Sequence, residues 1–324
     1  MLFSSIALSA LLAVSSVTAH SKPNREARDH KDVSYVNAVN DLAKRGLPGP
    51  DHTDWLYLNS YTWWKMDPTQ QDHARFHAYL SMSAYGDYKK LCPKTFTRGY
   101  TVLASYDAPG KPVGQSFHIV KIPEMDKIVI VFKGNGLDGL DWTPVSISGL
   151  VSNCKDCTVA KGVYDLYMLA KKASNNFKVA KDAVTSTGLK FSVTGHGVGG
   201  AVAALAALEM GAVANEPKVH YAHNQGMPRA FNYPAVVRYD NLFQVLAGQS
   251  VVNRNDKTVQ QVPASYNNYH LGQKFHATGD KDQWLTNCWG NNENATCLGD
   301  GSSTADHLYY WTPIGQCGSA NKGF

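Results

Sequence analysis

The chain has 324 residues, 44% of them hydrophobic, and 31 lysines and arginines against 26 acidic residues give a net charge of +5. That charge is spread without a basic block, which argues against nucleic acid as a partner, and the apolar content suffices for a folded core. Residues 1–19 carry no charged side chain, hold the apolar run Ile6–Val14 and end Val17-Thr18-Ala19. This is the pattern of a secretory signal peptide with a small-residue cleavage site. Residues 20–45 are polar and end in the basic pair Lys44-Arg45; they read either as a pro-segment or as a disordered tail. Residues 46–324 then form one domain. Residues 69–86, with Ala74, Ala78, Leu80, Met82 and Ala84, suit a helix. Ser116–Lys121 and Lys127–Lys133 read as a β-hairpin turning at Pro123-Glu124. Val163–Val184 reads as one helix stopping before Gly188, Phe191–Thr194 as a strand, and Val198–Ala214 as a helix. Val219–Ala222 and Phe243–Val252 read as further extended stretches. Strands alternating with helices predict an α/β fold with a mainly parallel central sheet and helices on both faces.

The most informative stretch is "FSVTGHGVGGAVAALAAL", residues 191–208. A β-rich run enters a turn bracketed by Gly195 and Gly199, and an Ala/Leu-rich helix leaves it. This is the strand–turn–helix context of the G-x-S-x-G nucleophile elbow of α/β-hydrolases, yet Gly197 stands where the serine belongs. A glycine cannot form an acyl-enzyme. Ser192 lies five residues upstream, inside the strand, and cannot take the place at the tip.

"KIVIVFKGN", "KGVYDLY", "VTGHGVGGAVAAL", "NQGMPRAFN", "VNRND" and "ADHLYYW" occur in the order of the signatures of secreted fungal class 3 lipases. The chain resembles the mono- and diacylglycerol lipase-like branch of that family over roughly residues 70–317. The resemblance implies an α/β-hydrolase fold with a short lid. It makes Asp256 the acid and His307 the base of the catalytic triad, in the order Ser–Asp–His, with Gly197 at the nucleophile position. The backbone N–H groups of Asn135 and Val198 would form the oxyanion hole. Leu137, Leu140 and Trp142 would form the apolar face of a lid helix, or else cap the core. Residue by residue, Asp256 also reads as a turn former and "GNGLDG" as a flexible loop.

Six cysteines are an even number, and in a secreted chain they imply disulfides. Cys154-x-x-Cys157 also matches a redox pair or half a zinc site, but no second ligand pair follows, so no metal is expected. The expected bridges are Cys288–Cys297, Cys154–Cys157 and, as the family implies, Cys92–Cys317. Asn294-Ala295-Thr296 is an N-glycosylation sequon.

These readings converge on a secreted, monomeric, lipase-like protein without cofactor. It would lack the serine nucleophile and bind a lipid or acyl ester, in solution or at a lipid–water interface. Two alternatives stay open. One is a non-hydrolytic enzyme using the His307/Asp256 pair as general base. The other is an ordinary secreted acylglycerol lipase, if Gly197 is not the natural residue.

Overall fold

A computed structural model of the chain describes residues 68–86, 100–110, 114–243, 247–262, 266–277, 285–287, 293 and 295–315. The expected signal peptide and pro-segment, Cys92, Cys288, Cys317 and the sequon residue Asn294 lie outside the described residues.

In chain order the elements are helix α1 (Pro68–Ser83), strands β1 (Thr101–Ala108), β2 (Gln115–Ile122) and β3 (Lys127–Phe132), and the short strands β4 (Pro144–Ser146) and β5 (Thr158–Ala160). Helices α2 (Lys161–Ala173) and α3 (Lys178–Thr187), strand β6 (Lys190–His196) and helix α4 (Val198–Gly211) follow. Next come β7 (Val219–Gln225), α5 (Tyr233–Leu242), β8 (Gly248–Asn253), α6 (Lys257–Gln261), β9 (Gln273–Ala277), β10 (Leu285–Asn287), α7 (Ala295–Leu298) and α8 (Thr304–His307).

Among the described residues, eight strands form one sheet in the order β1-β2-β3-β6-β7-β8-β9-β10. The five central strands, β3 to β9, run parallel, and β1, β2 and β10 add antiparallel edges. Strand β3, "KIVIVF", is buried along its whole length, as a parallel strand covered on both faces must be. Ile128, Ile130 and Phe132 point to the α2/α4 side, while Val129 and Val131 point to the α1 side. Strand β6 divides its chemistry the same way. Phe191 and Val193 enter the large apolar core, whereas Ser192 and Thr194 meet His77 and Ser81 of α1 through hydrogen bonds of 3.1 and 2.8 Å. Helix α4 is apolar around its full circumference and buried from Val198 to Leu208, the expected state of a helix sandwiched between a sheet and a second helix layer.

One expectation is corrected. The single helix expected over 163–184 is two, α2 and α3, broken at Ser174–Phe177. The Ser174 hydroxyl donates to Ala170 O at 2.8 Å and accepts from Phe177 N–H at 3.0 Å, which diverts the backbone from the helical ladder. Asn175, Asn176 and Phe177 then take left-handed dihedrals. Packing drives the break, because it brings the fully buried Phe177 against Phe117, Phe132 and Tyr167. Within the extended stretch expected over 243–252, Phe243 caps α5 in an extended conformation and strand β8 spans Gly248–Asn253. Leu137, Leu140 and Trp142, expected to form the apolar face of a lid or else to cap the core, lie outside any helix. These residues lie in turns and pack against the main core. Asp141 O and Thr143 O accept from the N–H groups of Gly162 and Lys161 at 2.7 and 2.8 Å, which ties the segment to the start of α2.

Candidate functional site

Strand β6 ends at His196 and α4 begins at Val198, so the reversal is made at Gly197, with φ +58° and ψ −129°. An L-residue held there costs about 1–3 kcal/mol; glycine adopts the conformation without a Cβ clash. The flanking glycines close the turn by contact. A Cβ on Gly195 would lie 2.2 Å from Gly199 O, and one on Gly199 would lie 2.6 Å from Phe132 O. The bracketing pattern legible in the sequence is therefore a packing requirement of helix on strand.

Across from this turn sits His307, the last residue of α8. A Cβ at position 197 would be 3.2 Å from both Cε1 and Nε2 of its ring. His307 Nδ1–H donates to Asp256 Oδ2 at 2.9 Å. A carboxylate only accepts, so this bond places a proton on Nδ1, and in the neutral ring Nε2 then carries the lone pair. The Asp256 side chain is fully buried, and a charge taken out of water needs donors. It has three: Thr258 N–H on Oδ1 at 2.8 Å, and the His307 ring and the Tyr310 hydroxyl, at 2.5 Å, on Oδ2. Burial and the adjacent Asp256 charge push the Tyr310 phenol well above its ordinary pKa, so it stays a donor.

The two loops that carry this pair are fastened to each other. Ser303 N–H donates to Asn255 O at 2.9 Å, and Lys257 N–H donates to Ser303 O at 3.0 Å. The Asn253 side chain, at the end of β8, donates to Asp306 O and Tyr309 O at 3.0 and 2.8 Å. Gly226, with φ +59°, lets the end of β7 pass under the pair. A Cβ there would lie 2.6 Å from Asp256 Oδ2 and 3.1 Å from His307 Nδ1.

Three residues that no sequence motif assigned a role join the site: His196, Tyr85 and Tyr310. In the structure His196 Nε2–H donates to His307 O at 2.8 Å and its Nδ1 accepts from the Tyr85 hydroxyl at 2.8 Å. Its ring lies against that of His307, with centroids 4.2 Å apart. Burial pushes the His196 ring well below its ordinary pKa and keeps it neutral. Nothing local marks Tyr85, 111 residues distant in sequence; Tyr310 stood in the "ADHLYYW" motif, unread.

Val198 is the first residue of α4, where a helix leaves its N–H groups without intrahelical acceptors. The loop after β3 abuts the turn at Gly134, where a Cβ would meet His196 O and the Tyr85 hydroxyl. Asn135 follows, its side chain donating to Gly114 O at 2.7 Å. Gly197, Val198, Asp256 and His307 thus converge at the C-terminal ends of parallel strands, with the Asn135 loop beside them. Leu137, Leu140 and Trp142 pack against the core on the α2 side. Cys154 and Cys157 are bridged, with Cα atoms 5.4 Å apart, and Cys297 is also disulfide-bonded.

The doubly covered parallel sheet and the sharp strand-to-helix turn, with the His–Asp pair facing it, are the architecture of the α/β-hydrolase fold. The profile of the family described as "Lipase (class 3)" matches residues 129–266. A lipase of Rhizomucor miehei is 28% identical over 201 residues, covering 57% of this chain and 52% of that protein; the chain spans about half the length of the curated relatives it matches. Among solved structures, the native propeptide complex of Rhizomucor miehei lipase aligns with a TM-score of 0.65 at 20% identity, over 80% of this chain and 87% of that one. A structure described as a serine protease triad forming the catalytic centre of a triacylglycerol lipase aligns with a TM-score of 0.62 at 20% identity, over 78% and 99%.

Proposed function

We propose that the protein is a secreted class 3 lipase-like pseudoenzyme that holds a lipid or acyl ester without forming an acyl-enzyme. One observation carries the reading: Gly197 occupies the tip of the turn, while the His307–Asp256 pair that would activate a serine there stands complete at 2.9 Å. The solved triacylglycerol lipase above is described by its serine-protease triad; this chain has the other two members and no hydroxyl at 197. Ser192 is no substitute, because it is buried and faces α1, bonded to His77. Removing the serine of such a triad leaves roughly 10³–10⁴-fold catalysis over water, far below a working hydrolase.

Native mass spectrometry of the protein secreted from its own cells tests the binding claim, with a co-purifying lipid expected. A fluorophosphonate probe tests the other half. No residue should be labelled, and stoichiometric labelling would overturn the pseudoenzyme reading. The intact pair also supports a second reading, in which His307 acts as general base on water or on a substrate C–H. A slow turnover of activated esters that disappears in His307→Ala would favour it.

A further inference from the structure

Helix α1 turns a polar stripe toward the sheet, because His73, His77 and Ser81 recur at a spacing of four and share one face. On strand β7, Tyr221 and His223 are two apart and point to the same side. The fold lays one set on the other. The His77 and His223 rings stack with centroids 4.2 Å apart and planes inclined by 17°, and both are buried. His77 Nδ1–H donates to His73 O at 2.7 Å, and Nε2 lies 3.1 Å from Ser192 Oγ. Among the described residues, the other groups facing the pair are His73 from α1, Lys127 from β3, Ser192 and Thr194 from β6, Tyr221 from β7 and Gln249 from β8. None of these is a carboxylate, and Lys127 brings a cation, its Nζ 4.6 Å from the centre of the Tyr221 ring. Burial, then the charges of His223 and Lys127, pushes the His77 ring well below its ordinary pKa. Burial and then Lys127 push His223 the same way. A proton on either ring would be a buried charge with no counter-charge, whereas rings exposed by lifting α1 would take protons freely.

Helix α1 also reaches the candidate site, along two routes. The N–H groups of Tyr85 and Gly86 donate back to Met82 O and Ser83 O, so Tyr85 rides on the last turn of α1. Its hydroxyl donates to His196 Nδ1, and His196 Nε2–H donates to His307 O, each at 2.8 Å. On another face of α1, Ala74, Ala78 and Met82 pack in one apolar cluster with Tyr310, whose hydroxyl donates to Asp256. We propose that the His77–His223 stack is an acid-released latch. Near neutral pH it seats α1 and so steadies His307 and Asp256; a proton taken up by either ring unseats the helix and loosens both. The arrangement at 197 is then assembled in neutral surroundings and slackened in acidic ones.

Amide hydrogen exchange of the full secreted chain, followed by mass spectrometry across the range from neutral to mildly acidic pH, tests the latch. Rates are corrected for the intrinsic pH dependence of exchange, so that they report local opening. Each histidine that gains a proton only on opening raises the open population by up to about tenfold per pH unit below about 6.5. With two such rings, protection over 68–83 should fall by up to about a hundredfold per unit, and protection over 304–310 should fall with it. Strand β3, which reports global unfolding, should keep its protection. His223→Phe preserves the stacked ring and removes one titrating group, so the α1 slope should drop to about tenfold per unit. If that variant folds poorly, His77→Gln makes the same test from the helix. Tyr85→Phe should leave the α1 slope unchanged while the fall over 304–310 shrinks. An α1 opening that ignores pH, keeps its full slope in His223→Phe, or occurs only together with β3 overturns the latch. Opening of α1 with 304–310 still protected overturns its connection to the site.

Discussion

Gly197→Ser is the perturbation whose consequences the structure works out most fully. The backbone at 197 has φ +58°, so any L-residue introduces strain of about 1–3 kcal/mol. The new Cβ would also stand 3.2 Å from Cε1 and Nε2 of His307, which asks the ring to yield by a few tenths of an ångström. Against this, the serine hydroxyl donates to Nε2 for a return of about 1 kcal/mol. For a domain of this size, 1 kcal/mol corresponds to a Tm change of about 2–4 °C, so a fall of several degrees is expected. Activity should move the other way. In a complete triad the nucleophile is worth about 10⁶ in kcat; surroundings that have drifted will return less, and a rise of about 10² or more over the parent on p-nitrophenyl butyrate is expected. Differential scanning calorimetry and the ester assay are run on the same preparations, with Gly197→Ser/His307→Ala as control. A folded variant that stays inert toward short and long esters and toward fluorophosphonate would refute the claim that the turn, His307 and Asp256 retain a working arrangement. An unchanged or raised Tm would refute the strain argument.

Gly226→Ala should disrupt the pair from beneath, because its Cβ would sit 2.6 Å from Asp256 Oδ2 and 2.8 Å from the Tyr310 hydroxyl at a positive φ; a loss of about 3 kcal/mol is expected by urea denaturation, together with loss of any hydrolysis gained in a Gly197→Ser background. Stability should decline with acid in two windows. Burial, and then the charge of neighbouring groups including Lys127, depresses the pKa of both His77 and His223, whose rings stack with centroids 4.2 Å apart under α1. The unfolded chain therefore binds protons that the native state refuses once the pH falls below about 6.5, and stability drops from there by up to about 1.4 kcal/mol per pH unit per histidine; His223→Phe should flatten that limb. Burial pushes the Glu293 carboxyl up, but the His270 ring and the Arg229 guanidinium outweigh it and hold the group at about 2. Its contribution is complete above about pH 4.5 and is lost as the pH falls toward 2, so Glu293→Gln should cost more stability at pH 7 than at pH 3. Opening the Cys154–Cys157 bridge by a double serine substitution frees only a four-residue loop, and a loss of about 2 kcal/mol is expected in the same denaturation assay.

Much of the architecture was legible in the chain itself, because it depends on patterns only a few residues long. A continuous apolar run such as Lys127–Phe132 must be covered on both faces, and glycines at 195 and 199 around an Ala/Leu helix describe a strand and helix pressed into contact. The order of motifs was enough to single out Asp256 and His307 and to show that position 197 carries no nucleophile. Other features depended on groups brought together from far apart. The break at Ser174–Phe177 is decided by where Phe177 must go, among rings contributed by β2, β3 and α2. The segment at 137–143 carries an apolar pattern that serves a lid and a core cap equally well, and its hydrogen bonds to the start of α2 leave no mark in that pattern. Tyr85, His196 and Tyr310 acquire their roles because buried polar atoms must find partners wherever the fold supplies them. Local pattern determined the elements and the missing hydroxyl. Tertiary packing decided which donors and acceptors meet, because hydrogen-bond partnership is a matter of distance in space and leaves no periodic trace along the chain.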